Sequence, residues 1–416
     1  MNAFHYQQGV LCVEDVALPA VADAFGTPCY VYSRGMISEN WRAFDAAFGG
    51  RDHLICYAVK ANSNLAVLNV LARLGSGFDI VSGGELERVM RAGGDPGKVV
   101  FSGVGKTRRE IHDALTAGIY CFNVESADEL ARINDTARTM GLAAPVSVRV
   151  NPDIDPRTHP YIATGLRDSK FGVDIEQALD LYREASAMSN IKIRGLACHI
   201  GSQLTSTTPF IDAVTRLFDL LGELDSAGIE LLHVDFGGGL GIAYHDERPP
   251  TPGAYVTALL NALADRPFKV LIEPGRAVVG TAGVLLTRIE YIKPGRDKGF
   301  AIVDAGMNDL LRPALYKAWH DIVPVQRRND PVPQPYDVVG PVCETGDFLG
   351  LSRSLPAAAG DLLAVTCAGA YGFVMSSNYN TRPRAAEVMI DGGRMHLIRA
   401  RETLDDLLRE ERVLPE

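Results

Sequence analysis

The 416-residue sequence has no long apolar run and no dense tract of lysine or arginine. The first absence excludes a membrane-spanning helix, which needs roughly 20 consecutive apolar residues. The second, with a formal net charge of -10, argues against a nucleic-acid or anionic-membrane surface. It leaves room for single arginines around a small anion. Seven cysteines, at positions 12, 29, 56, 121, 198, 343 and 367, are scattered and contain no CxxC pair. Reduced thiols in buried strands are expected, not a disulfide framework or a zinc site. The nine histidines show no metal-ligand spacing, and no metal is expected. The opening MNAFHYQQGVLCVED lacks a basic stretch followed by an apolar one, so no secretory signal is read and the expected location is the cytoplasm. What is present is an ordinary globular mix, 47% hydrophobic and 22% charged. The length suits two or three units.

Short apolar, β-rich runs alternate with amphipathic helical stretches. The runs are LICYAVK (54–60), GFDIVS (77–82), VVFSG (99–103), YCFNVES (120–126), VSVRVN (146–151), IRGLACHI (193–200), LLHVDFGGG (231–239) and VLIEPG (270–275). Between them, segments such as GGELERVMRAG and SADELARINDTARTMG space their apolar residues as helices do. Strand and helix repeated eight times predict an α/β fold with a parallel sheet closed into a (β/α)8 TIM-type barrel. After about Gly280 the texture changes. GVLLTRIEYIK, KGFAIVDAG, YDVVGPVC, DLLAVTCAG and AEVMIDGG read as strands of a mainly antiparallel β domain. The strand-like VLCVED and TPCYVYS near the N-terminus are expected to join it. The expected organisation is therefore 1–34 as a segment of the β domain, 35–280 as the barrel and 281–416 as the rest of the β domain. RRNDPVPQPYD (327–337) reads as a surface loop.

Such barrels place their sites at the C-terminal ends of the strands. Read in order, those ends carry Lys60, Asp79 with Ser82, Ser102, Asn123 with Glu125, Arg149 with Asn151, His199 with Ser202, Gly237-Gly238-Gly239, and Glu273 with Arg276. Each has a plain reading beside a chemical one. Lys60 is either a lysine reaching for water beyond a strand or an amine kept dry to attack a carbonyl. His199 is either a satisfied core histidine or a ring that stacks on a cofactor. Glu273 either pairs with Arg276 or faces a heteroaromatic nitrogen. GGGLG (237–241) is either a plain turn or a backbone cradle for phosphate; it is neither a Walker loop nor a Rossmann fingerprint. Together, a reactive lysine, a phosphate cradle, a stacking histidine and a carboxylate for a ring nitrogen describe pyridoxal 5'-phosphate, PLP.

The chain also resembles a known family, the barrel-type PLP-dependent amino acid decarboxylases, whose fold is alanine racemase-like. The segments that carry the resemblance are YAVKAN (57–62), GFDIVSGGEL (77–86), FNVES (122–126), RVNP (149–152), THPYIATGLRDSKFG (158–172), CHIGSQ (198–203), DFGGGLG (235–241), EPGR (273–276), DAGMNDLLRPALY (304–316), CETGD (343–347) and GAYG (369–372). They span nearly the whole chain. THPYIATG…SKFG and MNDLLRPALY point to the diaminopimelate branch. Thr345 stands where the family usually shows serine, a small departure beside an intact Cys343 and Glu344.

The resemblance implies roles. Lys60 holds PLP, near Asp79; His199 stacks on its ring; Glu273 pairs with its nitrogen. Ser202, Gly237, Gly238, Gly239, Gly275, Arg276 and Tyr371 serve its phosphate. Arg276, Arg312, Tyr316 and Tyr371 take the substrate's distal carboxylate, and Glu344 takes its distal ammonium. Cys343 is the proton donor. Cys343 and Glu344 come from a neighbouring subunit, which implies a head-to-tail homodimer with shared active sites. The implied reaction is decarboxylation of meso-2,6-diaminopimelate to L-lysine and CO2. Residues 158–172 are expected to act as a lid. Taken alone, Arg312 and Tyr316 also read as a solvated helix face or an interface pair, and Cys343 as an inert buried thiol. Four alternatives stand beside this reading. They are a decarboxylase of another basic amino acid or of carboxynorspermidine, a racemase, a PLP-carrier protein, and a lyase using lysine without PLP.

Overall fold

The computed structural model describes residues 3–154, 169–264, 266–296, 298–328 and 332–416. The chain divides into two compact units. One takes Ser38–Ala243 with Glu247–Val278; the other takes the chain before Ser38, Tyr244–Asp246, and the chain from Val279 onward.

The first unit is a closed barrel. Its parallel strands are His53–Ala58, Gly77–Ile80, Val99–Phe101, Cys121–Val124, Ala144–Asn151, Ile191–Cys198, His233–Asp235 and Lys269–Ile272. Each pairs with the next, and the last pairs with the first through Val270 and His53, so no edge is left between them. A two-residue strand, Val173–Asp174, adds to the fifth. Except for the first half of Ile191–Cys198, these strands are buried nearly end to end, which is why their sequences read as continuous apolar runs. The helices between them start and stop where the sequence signals. Ser82 and Ser126 accept from the backbone N–H three residues on, Thr107 and Glu110 form a capping box, and Gly118 and Gly141 close their helices in the left-handed region.

Inside the barrel, Cys121 and Ser147 meet His233. Leu54, Cys56, Val100, Cys121 and Leu271 pack as one buried cluster. These residues point inward. Strand side chains alternate with a period of two, so Ala58, Asp79, Ser102, Asn123, Arg149, Asp235 and Glu273 point inward as well. They stand above that apolar floor, at the carboxyl ends of the strands.

The second unit is a mixed sheet. Its strands run in the order Phe348–Leu355, Gln334–Val339, Gly299–Val303, Gly283–Lys293, Cys29–Ser33, Ala386–Asp391 and Arg394–Arg399. Leu362–Val365 also pairs with Gly283–Lys293 and carries Ile322–Pro324. Most pairs are antiparallel. Gly299–Val303 with Gln334–Val339, and Ala386–Asp391 with Cys29–Ser33, are parallel. The N-terminal Cys29–Ser33 lies between two C-terminal strands, as expected. Leu11, Val31, Val284, Leu286, Val388 and Ile390 belong to its apolar core. Two sequence expectations need correction. The proline-rich 327–337 is not all loop, because Gln334 onward pairs with Phe348–Leu355. Five strands were not expected: Ile322–Pro324, Phe348–Leu355, Arg394–Arg399, and Phe4–Gln7 and Val16–Ala17, which form a separate three-stranded sheet with Val10–Val13.

Candidate active site

The first barrel strand ends at Ala58, where its ladder with Asp79 stops. Lys60 therefore sits not in the strand, as its apolar run suggested, but in the single 3-10 turn Val59–Ala61. The turn is fixed from below. The Tyr57 hydroxyl donates to the Asn62 carbonyl at 3.0 Å, and Asn64 N–H donates to Asn62 Oδ1 at 3.1 Å. Lys60 Nζ lies 2.8 Å from Asp79 Oδ2, and the Asp79 side chain is wholly buried. The amine is held by a carboxylate inside the barrel and does not simply reach outward for water. Asp79 Oδ1 has no hydrogen-bond partner.

Opposite, Glu273 follows the eighth strand. Asn123 Nδ2 donates to its Oε1 at 3.4 Å and to Ser102 Oγ at 3.1 Å. Burial raises the Glu273 carboxyl well above its ordinary range, and the charges of Asp235 and Asp79 raise it further, against Lys60 and Arg149. Asp235 is raised to about 6, chiefly by burial, although Gly237 N–H donates to its Oδ1. Its Oδ2 has no hydrogen-bond partner. A ring of buried acids thus faces Lys60 and Arg149, and burial outweighs both cations at Glu273. Across the mouth, His199 Nδ1 accepts from Gly238 N–H at 3.0 Å. Burial first, then Arg149 and Lys60, hold its imidazole well below the ordinary pKa, so the ring is neutral.

The glycine loop after the seventh strand admits no side chains. A Cβ on Gly238 would lie 2.3 Å from the Glu273 carbonyl oxygen, and one on Gly237 2.5 Å from His199 Nδ1. Gly239 has φ of +111°, a backbone that favours glycine. The loop is tied to residues after the sixth strand. Leu204 N–H donates to the Gly239 carbonyl and Gly241 N–H to the Leu204 carbonyl, both at 2.9 Å. Ser202 Oγ accepts from Arg276 Nη2 at 3.1 Å. A Cβ on Gly275 would lie 2.9 Å from Ala61 Cβ, which brings EPGR against the Lys60 turn.

These residues fit PLP on their own chemistry. Close-packed glycines with a serine and an arginine offer donors to a phosphate. A neutral histidine offers a ring face. A carboxyl driven up by burial and by neighbouring acids would regain its charge beside a cationic ring nitrogen.

Other strand-end residues have structural partners. Ser82 caps its helix. Glu125 pairs with Arg149 at 3.0 Å and accepts from Gly103 and Gly172 N–H. Asn151 Oδ1 accepts from Asp153 N–H. Asp235 was not singled out from the sequence. Its signal was its place two residues before Gly237, on the inward face of the seventh strand.

In the second unit, Arg312 begins and Tyr316 ends a five-residue helix. Arg312 is 6% exposed, so it is no solvated helix face. Cys343 and Glu344 lie on an exposed loop, and Cys343 is not the buried thiol of the plainer reading. The loop is pinned. Buried Asp347 accepts from Met307 N–H and Val342 N–H, each at 2.6 Å. Asn380 Oδ1 accepts from Cys343 N–H at 2.9 Å, and the Tyr379 hydroxyl donates to Glu344. Tyr371 holds a left-handed φ of +55° between Ala370 and Gly372. Most of the expected lid 158–172, namely 158–168, lies outside the described residues. Among the described residues no cluster of His, Cys, Asp or Glu is placed to hold a metal ion.

Residues 34–280 match the family model for the pyridoxal binding domain of pyridoxal-dependent decarboxylases. Diaminopimelate decarboxylase of Vibrio cholerae is 57% identical over the whole of both chains. The solved structure of diaminopimelate decarboxylase from M. jannaschii with L-lysine superposes with a TM-score of 0.95 at 39% identity, covering 100% of this chain and 98% of that one. The Helicobacter pylori enzyme with L-lysine gives 0.91 at 42%, covering 94% and 98%.

Proposed function

The chain belongs to the pyridoxal-dependent decarboxylases, in the diaminopimelate decarboxylase branch, and from that premise we infer that it converts meso-2,6-diaminopimelate to L-lysine and CO2. It is a carboxy-lyase that uses PLP. The observation that carries the reading is the meeting of Lys60, Asp79, His199 and Glu273 around a glycine cradle, with the Glu273 carboxyl driven up by burial so that it would regain its charge beside a cationic ring nitrogen.

In this reading Lys60 binds the cofactor covalently, with Asp79 orienting its amine. Ser202, Gly237, Gly238, Gly239, Gly275 and Arg276 hold the phosphate, with Tyr371. When bound, PLP supplies an electron sink for the pair released as CO2 leaves. Glu273 holds the proton on the ring nitrogen. His199, neutral and fixed by Gly238 N–H, faces the ring without adding charge. Arg276, Arg312, Tyr316 and Tyr371 take the distal carboxylate, and Glu344 takes the distal ammonium. Cys343 delivers a proton to the carbon that has lost CO2. The exposed, pinned loop bearing Cys343 and Glu344 supports their donation to a second copy in a head-to-tail homodimer. The same reading draws the domain borders at 34/35 and 280/281, assigns 158–172 as a lid, and places the enzyme in the cytoplasm. No helix among the described residues is long and apolar enough to cross a membrane.

Selectivity follows from the far end of the substrate. Ornithine lacks the second carboxylate and would leave arginine charge unpaired, a costly mismatch. The test is release of CO2 by the PLP-loaded protein from meso-diaminopimelate, L-ornithine and L-arginine in parallel. Turnover of diaminopimelate alone, with L-lysine as product, is expected. Turnover of ornithine or arginine instead would overturn the substrate. Bound PLP without turnover of any would move the weight to a racemase or a carrier.

A further inference from the structure

His320 is wholly buried in the second unit, and both ring nitrogens are engaged. Nδ1 lies 2.8 Å from the Thr366 carbonyl oxygen, and Nε2 lies 2.7 Å from Arg312 Nη1. A carbonyl oxygen only accepts, and a guanidinium only donates. The ring proton is therefore on Nδ1, Nε2 accepts from Arg312, and the imidazole is neutral. Tyr244 completes the frame. The Arg312 guanidinium carbon lies 4.4 Å from the Tyr244 ring centroid, and the Tyr244 and His320 rings meet edge to face at 5.1 Å.

This arrangement orients an arginine without neutralising it. A carboxylate in place of His320 would pair with Arg312 and compete with any anion it binds. A protonated histidine would set two cations face to face. A neutral acceptor does neither, and it removes rotational freedom that ligand binding would otherwise have to remove.

We propose that His320 is a positioning residue that fixes the Arg312 guanidinium for the distal carboxylate of the substrate. This rests on the reading of Arg312 as that carboxylate's partner. L-lysine, the product, keeps the distal amino-carboxylate, whereas 1,5-diaminopentane has both amines and no carboxylate. The pair isolates the effect.

The experiment uses the PLP-loaded enzyme and three variants of His320. In His320→Leu, KM for meso-diaminopimelate and Ki for L-lysine rise about tenfold, while kcat changes less than about threefold and Ki for 1,5-diaminopentane holds. His320→Asn, whose amide serves Thr366 but is too short for Arg312, shows the same loss. His320→Gln, whose amide oxygen can accept from Arg312, recovers KM to within about threefold of the parent. A parallel rise in Ki for both inhibitors overturns the proposal, as does an unchanged KM in both the Leu and Asn variants. Arg312→Lys separates the two levels. If it leaves KM and the L-lysine Ki unchanged, the reading of Arg312 fails; if it raises them and the His320 variants do not, only the positioning role fails.

Discussion

The barrel and the mixed-sheet unit bring their candidate residues into place by different means. In the barrel, Asp79, Asn123, Asp235 and Glu273 stand on or just after strands whose alternation aims them inward. Backbone groups of the strand ends then hold site residues, as Gly237 N–H holds Asp235 on its own strand end and Gly238 N–H holds His199 on the neighbouring one. In the other unit, Cys343 and Glu344 ride on an exposed loop held by Asp347, and Arg312 is framed by His320 and Tyr244. The lesson is one of division. A closed sheet of buried strands can gather acids, a lysine and a histidine at a density that shifts their protonation, which suits cofactor chemistry. Loops and a short helix can instead present a thiol, a carboxylate and an arginine, which suits substrate recognition and a second subunit.

The largest test of that division is Lys60→Arg. The arginine keeps a cation for buried Asp79 but cannot serve as the amine. Activity should fall at least about a thousandfold while the fold survives. Single-turnover CO2 release, with circular dichroism as the control, reads this directly. Cys343→Ala comes next, with kcat down about a hundredfold and PLP content unchanged. Mixed with the Lys60→Arg protein and re-equilibrated, it should recover about a quarter of parental activity, because random exchange leaves one intact site in half the dimers. No recovery after proven exchange would break the assignment of Cys343 to the neighbouring subunit.

Gly238→Ala should cost about 2 kcal/mol of stability and weaken PLP binding, since its Cβ would enter the space of the Glu273 carbonyl. Thermal unfolding and PLP titration measure both. Gly346→Ala, in the Cys343 loop, meets nothing within 4 Å and should keep PLP affinity unchanged.

The smallest effect is in the pH dependence of stability. Glu85 is raised to about 7, first by burial, then by Asp79, against Val81 N–H and Lys60. A carboxyl raised on folding contributes stability that is fully present below its unfolded pKa of 4.5 and is lost as pH rises through about 7. The full shift would be worth roughly 2 kcal/mol between pH 5 and pH 8, but Glu85 is only half-buried and solvent screens it, so Glu85→Gln should gain on the parent by about 1 kcal/mol over that range, read by denaturant unfolding of the PLP-free protein. A flat difference would mean that Glu85 carries no such shift.

The same contrast decides what was legible in the sequence. All eight barrel strands could be read, because a strand buried on both faces is an apolar run bounded by capped helices. Lys60 and Glu273 were legible by position, at the ends of such runs. Asp235 was passed over because it lies inside a run. Phe348–Leu355 was missed because FLGLSRSL mixes glycine and serine with its apolar residues, and Arg394–Arg399 because only Met395 and Leu397 alternate there, too short a pattern to stand out. The parallel pairing of Gly299–Val303 with Gln334–Val339 depends on partners distant in sequence, which no local pattern encodes. Arg312, Cys343 and Glu344 stood out only through the resemblance. His320 did not stand out at all, since its role lies in two contacts and not in any spacing.

The most direct measurement of the central claim is PLP affinity and kcat/KM for meso-diaminopimelate in Arg312→Lys. The account predicts PLP affinity within about twofold of the parent and kcat/KM lower by about a hundredfold, because the lysine keeps the charge and loses the fork. Loss of PLP from this variant, or an unchanged kcat/KM, would contradict the assignment of Arg312 to the substrate and of the cofactor to the barrel.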